Sequence, residues 1–282
     1  MKSPIFLLGS GRCGSTLVQR ALNAHPEVVM YGEHEGFLGP LSNAYHKLTQ
    51  TRDIQRFVYG EDAIPASALH GELSVPDADI CWVNSFTAED VYTQFRQLVL
   101  SLLASDLDLE EVHWGFKEIR YYKPQHVIWF LQEMFPEARY IFLFRNPADT
   151  IASGLSAWED PEKFLANEEQ LRNTVWERFK SWSAKYDLML VNEEMLGERA
   201  YFLRYEDLVA DPASHLDHIF GMLGLQTPEL SLELFQHRPA STQDHPHKAQ
   251  LVERLREFQS NTRHEPFRKI CARMGYDHLE LA

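Results

Sequence analysis

Five short apolar runs punctuate the chain: Ile5–Leu8, Val28–Tyr31, His113–Lys117, Arg139–Phe144 and Tyr201–Arg204. Each has the length and composition of a buried strand. Between them, apolar residues recur at helical spacing over Leu17–Ala24, Val91–Leu103, Pro124–Phe135, Ala148–Ser156, Leu171–Asn192 and Ala213–Leu223. Strands separated by helices need crossover connections, so the pattern predicts an α/β fold of three layers, a central parallel sheet flanked by helices. Ligands of such sheets sit beyond the carboxyl ends of the strands, which makes the strand tips the first place to look for chemistry.

The stretch from about Phe37 to Glu111 breaks this rhythm. It mixes Gly, Pro and Ser with charge, as in Tyr59-Gly60-Glu61-Asp62 and Leu73-Ser74-Val75-Pro76-Asp77, and carries no clear strand signal. We read it as an insertion or lid on the acceptor side of one domain spanning residues 1–282; a surface excursion with no substrate role fits the same composition. Its acidic residues (Glu61, Asp62, Glu72, Asp77, Asp79) read first as a solvated face. Beyond Thr242, a polar His/Pro loop precedes an amphipathic helix carrying Leu251, Leu255 and Phe258, and a last short helix near Ile270.

The first strand tip is the most informative. Pro4-Ile5-Phe6-Leu7-Leu8 runs into Gly9-Ser10-Gly11-Arg12-Cys13-Gly14-Ser15-Thr16, and a helix pattern comes at once after it. Such a turn gathers backbone N–H groups and a helix N-terminus around one spot, a phosphate site of the P-loop-like kind. Gly9, Gly14 and Thr16 match the spacing of the nucleoside triphosphate loop, but Ser15 stands where its lysine belongs. That points to a phosphate-bearing donor other than MgATP. Gly11, Arg12, Cys13, Gly14, Ser15 and Thr16 are the candidate anion ligands, with the Arg12 guanidinium able to clamp a phosphate or sulfonate. Thr16 taken alone would be no more than a helix cap.

The other tips add candidates, each with a plainer alternative. Glu33 and His34, after the second strand, both suit a general base by type and position, and both suit a solvated loop. Lys117 is costly in an apolar strand unless it meets an anion or a carboxylate. It either stabilises charge on a transferred group or pairs with an acid such as Glu118. Arg145 ends the fourth strand and Ser153 comes eight residues later; together they reach a second phosphate, or Arg145 holds a helix C-terminus. Tyr205, after the fifth strand, is placed to bond or stack on a base, or is core. His237, His245 and His247 have no acidic or Cys partner at ligand spacing and read as solvated. The set suggests a donor with two separated anionic groups and no metal.

Charge narrows the partners. With 27 basic and 41 acidic residues the formal net charge is −14, which argues against nucleic acid or anionic membrane as a partner, so any anion is held by a local cluster. Three distant cysteines (Cys13, Cys81, Cys271) argue against a disulfide framework. With no signal peptide or membrane-length apolar run in the sequence, a cytoplasmic location is expected.

On these residues the chain resembles the sulfotransferases that use 3′-phosphoadenosine 5′-phosphosulfate (PAPS). Gly9 to Thr16 resembles their 5′-phosphosulfate loop, in the Arg form of tyrosylprotein sulfotransferases and many bacterial members. Arg145-Asn146-Pro147-Ala148-Asp149-Thr150-Ile151-Ala152-Ser153 resembles their 3′-phosphate motif, and Tyr205-Glu206-Asp207-Leu208 their recurring strand-five ending. His25-Pro26 followed by Gly32-Glu33 is similar to the tyrosylprotein branch, in which the glutamate at the position of Glu33 is the base. Ser241, Thr242 and Lys248 resemble the late loop that closes over the 3′-phosphate. The loop lysine and catalytic histidine of the steroid/phenol branch are missing, as is the anchor of Golgi members, so a secretory-pathway protein substrate is not expected.

The resemblance implies metal-independent, in-line transfer of a sulfuryl group from PAPS to a hydroxyl or amine of a small-molecule acceptor, leaving adenosine 3′,5′-bisphosphate. Glu33 would take the acceptor proton, with His34 the other candidate. Arg12, the loop N–H groups and Lys117 would stabilise the transferred charge, and Arg145 and Ser153 would hold the 3′-phosphate. Two rivals stand beside this reading. A P-loop kinase or NTPase has the missing lysine against it; a non-catalytic nucleotide-binding protein has against it the joint presence of Arg12, Glu33, Lys117, Arg145 and Ser153.

Overall fold

A computed structural model describes residues 1–51, 86–159, 161–236 and 247–276. Residues 52–85 of the expected insertion, with Glu61, Asp62, Glu72, Asp77, Asp79 and Cys81, lie outside the described residues, as do His237, Ser241, Thr242 and His245. The strands are β1 (Ile5–Gly9), β2 (Val28–Tyr31), β3 (His113–Glu118), β4 (Arg139–Phe144) and β5 (Ala200–Arg204). They form one all-parallel sheet in the order β2-β3-β1-β4-β5. All five lie within one residue of their expected bounds.

The helices are α1 (Ser15–Leu22), α2 (Leu38–Gln50), α3 (Ala88–Leu103), α4 (Val127–Met134), α5 (Pro147–Trp158), α6 (Pro161–Ala166) and α7 (Glu168–Leu190). After these come α8 (Glu193–Leu196), α9 (Tyr205–Ala210), α10 (Pro212–Gly221), α11 (Glu229–Gln236), α12 (Lys248–Asn261) and α13 (Glu265–Arg273). Among the described residues, no helix is long and apolar enough to cross a membrane.

Backbone contacts group the chain into two compact units. The first, Met1–Gly36, Leu107–Pro124 and Glu137–Ala282, holds the whole sheet; the second, Phe37–Asp106 and Gln125–Pro136, holds α2, α3 and α4. In the second unit the Tyr45 ring of α2 packs on Phe95 of α3 and on Trp129 and Phe130 of α4. A capping box starts α3: the Thr87 hydroxyl accepts from the Asp90 N–H at 3.0 Å, and the Asp90 carboxylate accepts from the Thr87 N–H at 2.9 Å. α2 falls in the stretch that the sequence pattern marks as an insertion or lid, without a helix of its own there; Pro40 sits in its first turn, where proline is tolerated.

In the first unit β1 is apolar throughout because both faces of the sheet are covered. Side chains alternate with period two. Ile5 and Leu7 join Ile141, Leu143 and Leu203 against Val18 and Ala21 of α1 and Leu216 and Ile219 of α10. Phe6 points the other way, with Trp114, Phe116 and Tyr140 around it, and on that face Phe144 stacks at 4.3 Å on Tyr186 of α7. The β1–β3 pairing is close at Gly115, where a Cβ would stand 1.7 Å from the Ile5 carbonyl oxygen. Gly115→Ala is therefore expected to cost roughly 3 kcal/mol or more in chemical denaturation. Gly221→Ala, whose Cβ meets nothing within 4 Å, is expected to be neutral or stabilising.

Candidate active site

Between β1 and α1 the backbone takes left-handed values at Arg12 (φ 66°) and Gly14 (φ 95°). The N–H groups of Gly11, Arg12, Cys13 and Gly14 donate to no group among the described residues. In the first turn of α1 the Leu17 N–H bonds the Gly14 carbonyl at 3.0 Å, while the N–H groups of Ser15 and Thr16 precede any intrahelical acceptor. The loop is thus a nest of unused donors, the form a phosphate or sulfonate fits. A Cβ on Gly14 would fall 2.3 Å from Cδ2 of Tyr205, so that ring lies directly against the loop. The Cys13 side chain is buried in the core, and burial pushes its thiol up.

One group of candidates gathers on the β4 and β5 side. Arg12 Nε donates to Ser153 Oγ at 3.1 Å, and Arg145 Nη1 donates to the Arg12 carbonyl at 2.8 Å. The Arg145 guanidinium lies 4.7 Å from the centre of the Tyr205 ring, so Arg12, Gly14, Arg145, Ser153 and Tyr205 are one constellation. Local sequence sets it. Asn146 caps α5 by accepting from the Ala148 N–H at 3.0 Å, with Pro147 in the first helical position. Glu206 accepts from the Asn146 N–H at 2.9 Å and, on its other oxygen, from the Tyr276 hydroxyl at 2.9 Å, which ties the β4 exit to the β5 exit. Lys248 opens α12, the helix that packs along α5.

A second group gathers on the β2 and β3 side. Lys117 is buried, and its Nζ lies 2.5 Å from Glu33 Oε1 and 3.4 Å from Thr16 Oγ1. Its acid is therefore Glu33, while Glu118 has another task. Arg120 Nη1 takes the other oxygen of Glu33 at 2.5 Å. Burial alone would raise the Glu33 carboxyl; the hydrogen bonds and charges of Lys117 and Arg120 outweigh it and hold the group below the usual carboxylate value.

Glu118 is fully buried. It accepts from the N–H groups of His34 (3.1 Å), Gly36 (2.8 Å), Ile119 (2.8 Å) and Arg120 (3.2 Å). Burial raises this carboxyl too, and the N–H bonds from Ile119, Gly36 and His34, with the charge of His34, more than reverse the effect. It thereby fixes the turn after β2, where Glu35 and Gly36 have positive φ. His34 is caught in the same frame: Nε2 is 3.1 Å from the Tyr121 hydroxyl and Nδ1 3.4 Å from Glu118. Burial draws its imidazole below the ordinary value against the pull of Glu118.

Between the loop, the β3 tip, α5 and α7 lies a cleft of about 200 Å³. Arg12 and Arg120 reach it from the two groups, and Trp158, Arg178, Trp182 and Lys185 line the rest. Sequence reading missed the α7 residues. Nothing in the spacing of a long amphipathic helix marks Lys185; it arrives because Tyr186, next to it, hydrogen-bonds Ser10 of the loop at 2.9 Å and the Leu143 carbonyl at 3.0 Å. Among the described residues, no three His, Cys, Asp or Glu side chains gather closely enough to hold a metal ion.

A parallel sheet with an anion loop at the tip of its central strand defines the P-loop-like α/β class. The sequence matches the sulfotransferase family over residues 4–229, and the chain belongs to that family. Its fold is similar to the sulfotransferase domain from the Synechococcus PCC 7002 olefin synthase, at 21% identity and a TM-score of 0.53 over 99% of this chain and 97% of that one. It is also similar to the sulfotransferase domain from the curacin biosynthetic pathway (18% identity, TM-score 0.52, 98% of each chain). A sulfotransferase from Alicyclobacillus acidocaldarius has the same fold (15% identity, TM-score 0.50, 99% of this chain and 98% of that one). Comparison with curated protein sequences finds no match.

Glu118→Gln is expected to cost roughly 2–4 kcal/mol at neutral pH, read by urea denaturation. The folded carboxyl titrates below its unfolded value of about 4.3, so its contribution is whole above that pH and is lost as pH falls through the folded value. The stability gap between wild type and variant should therefore close in acid.

Proposed function

We propose that this sulfotransferase moves a sulfuryl group from PAPS to a hydroxyl or amine of a small-molecule acceptor, in line and without a metal. The observation that carries the reading is that both side-chain groups converge on one loop: Arg12 with Arg145, Ser153 and Tyr205 on one side, Thr16 with Lys117 and Glu33 on the other. The free N–H groups fit a 5′-phosphate, Arg145 and Ser153 a 3′-phosphate, and Tyr205 a base beside them. The narrow cleft supports a small acceptor. Nothing favours a kinase, since Ser15 stands in place of the Walker lysine.

In this reading Glu33 removes the acceptor proton as the acceptor oxygen or nitrogen bonds to sulfur. The bond from sulfur to the phosphate oxygen breaks, and that oxygen keeps the electron pair beside Arg12, Lys117 and the loop N–H groups. Glu33 is the better base of the two because both ring nitrogens of His34 face structural partners. A carboxylate held low by Lys117 is a weak base. An anion in the loop competes for Lys117, and release of that ammonium lets Glu33 rise toward a useful value.

Adenosine 3′,5′-bisphosphate should raise the melting temperature and ATP or ADP should not; no gain with the bisphosphate would sink the donor assignment. Glu33→Gln is expected to lower kcat by about 10²–10⁴-fold with bisphosphate affinity retained. Arg145→Ala should raise the donor KM by roughly 10–100-fold. Lys117→Met should move the acidic limb of the kcat/KM profile to higher pH, because it removes a charge that holds Glu33 down.

A further inference from the structure

The cleft beside the loop is electrostatically unlike the rest of the chain. The protein carries 41 acidic and 27 basic residues, yet the cleft is lined by Arg12, Arg120, Arg178 and Lys185 and, among the described residues, by no carboxylate. Three of these cations are already held. Arg12 bonds Ser153; Arg120 pairs with Glu33, Glu35 and Glu118; and Arg178 pairs with Glu159 at 3.1 Å.

Lys185 is different. It makes no hydrogen bond or ion pair among the described residues, although it is largely withdrawn from water. Burial pulls its ammonium below the ordinary lysine value, and Arg120 and Arg178 push the same way. The two groups that oppose them are of little help. Cys13 is a buried thiol whose raised value keeps it neutral, and Glu118 is committed to four backbone N–H groups and Arg120. A cation in this position costs free energy in the empty protein unless an anion joins it. Trp158, Trp182, Leu155, Ile151 and Ile119 form broad apolar walls beside the hydroxyls of Ser10, Thr150 and Ser181, so the cleft suits an occupant with an apolar body.

We propose that the acceptor is an anionic molecule with an apolar body, whose carboxylate or phosphate is held by Lys185 with Arg178 beside it while its hydroxyl or amine faces Glu33. This rests on the sulfuryl-transfer reading and adds to it the class of acceptor. The charge that Lys185 lacks is supplied by substrate, which makes selection strong, because a neutral analogue leaves the ammonium unpaired.

The test uses para-hydroxyphenylpropionate, its methyl ester, tyramine and para-hydroxybenzyl phosphonate, with binding read by calorimetry and by tryptophan fluorescence. The protein is first titrated with adenosine 3′,5′-bisphosphate and then kept saturated with it. The carboxylate or the phosphonate should bind at least about tenfold more tightly than the ester, with tyramine weakest; whichever of the two anions binds better names the acceptor group. Lys185→Met should remove that preference, leave bisphosphate affinity unchanged, and leave or raise the melting temperature of the free protein. A lysine that serves only the fold would lower it. Equal binding of acid and ester, binding of neither anion, or a Lys185→Met variant that loses bisphosphate affinity instead overturns the proposal. Failure of the wild type to bind the bisphosphate counts against the donor reading alone, and the anion comparison is then made on the free protein.

Discussion

The turn between β1 and α1 is the constraint on which the rest of this site depends. β1 is buried on both faces, so it offers no side chain to chemistry and contributes only its end. In the turn beyond that end, four consecutive N–H groups, from Gly11 to Gly14, meet no acceptor among the described residues, an arrangement suited to an anion. That arrangement needs left-handed backbone at Arg12 and Gly14 and a position at Gly14 with no side chain, because the Tyr205 ring occupies the space. Neighbouring elements then fasten to the loop and the start of α1: β4 through Arg145, α5 through Ser153 and Trp158, β3 through Lys117 and α7 through Tyr186.

Positive charge gathered at one end of an acidic protein has to be kept from flying apart. Carboxylates do this in two ways. Glu118 and Glu206 are fasteners: Glu118 accepts four backbone N–H groups, Glu206 accepts the Asn146 N–H and the Tyr276 hydroxyl, and each ties one strand exit to another segment. Glu33 is instead shared between Lys117 and Arg120 at the edge of the loop, where a bound anion would alter its environment. The two kinds differ in exposure, since Glu118 is sealed and Glu33 keeps 26% of its side-chain surface. Only the second is free to change its proton affinity during a reaction.

The sheet was readable because its strands are short, largely apolar runs, with β1 apolar at every position under cover on both faces and the polar residues of β3 gathered mainly at its ends. The loop was readable because glycine spacing and a helix directly after it have one common physical use. Asn146-Pro147 announced the start of α5 just as directly. Other features had no such signature. α2 lay within the stretch of mixed Gly, Pro, Ser and charge, and the partner of Lys117 was open between Glu118 and another acid. His34 and Glu33 were equal candidates by residue type until the Tyr121 hydroxyl and Glu118 were seen around the imidazole.

By itself, then, the sequence determined the strands, the order of the anion-holding motifs and the family to which they belong, because each comes from local periodicity or from residues a few positions apart. Tertiary structure alone decided the pairing: Glu33 rather than Glu118 for Lys117, Ser153 for Arg12, and the approach of Lys185 to a cleft more than a hundred and fifty residues from the loop in sequence. Those pairings are distances between segments that meet only when α7 and the strand tips fold over one loop. Proton affinity and selectivity depend on such distances, and no local pattern records them.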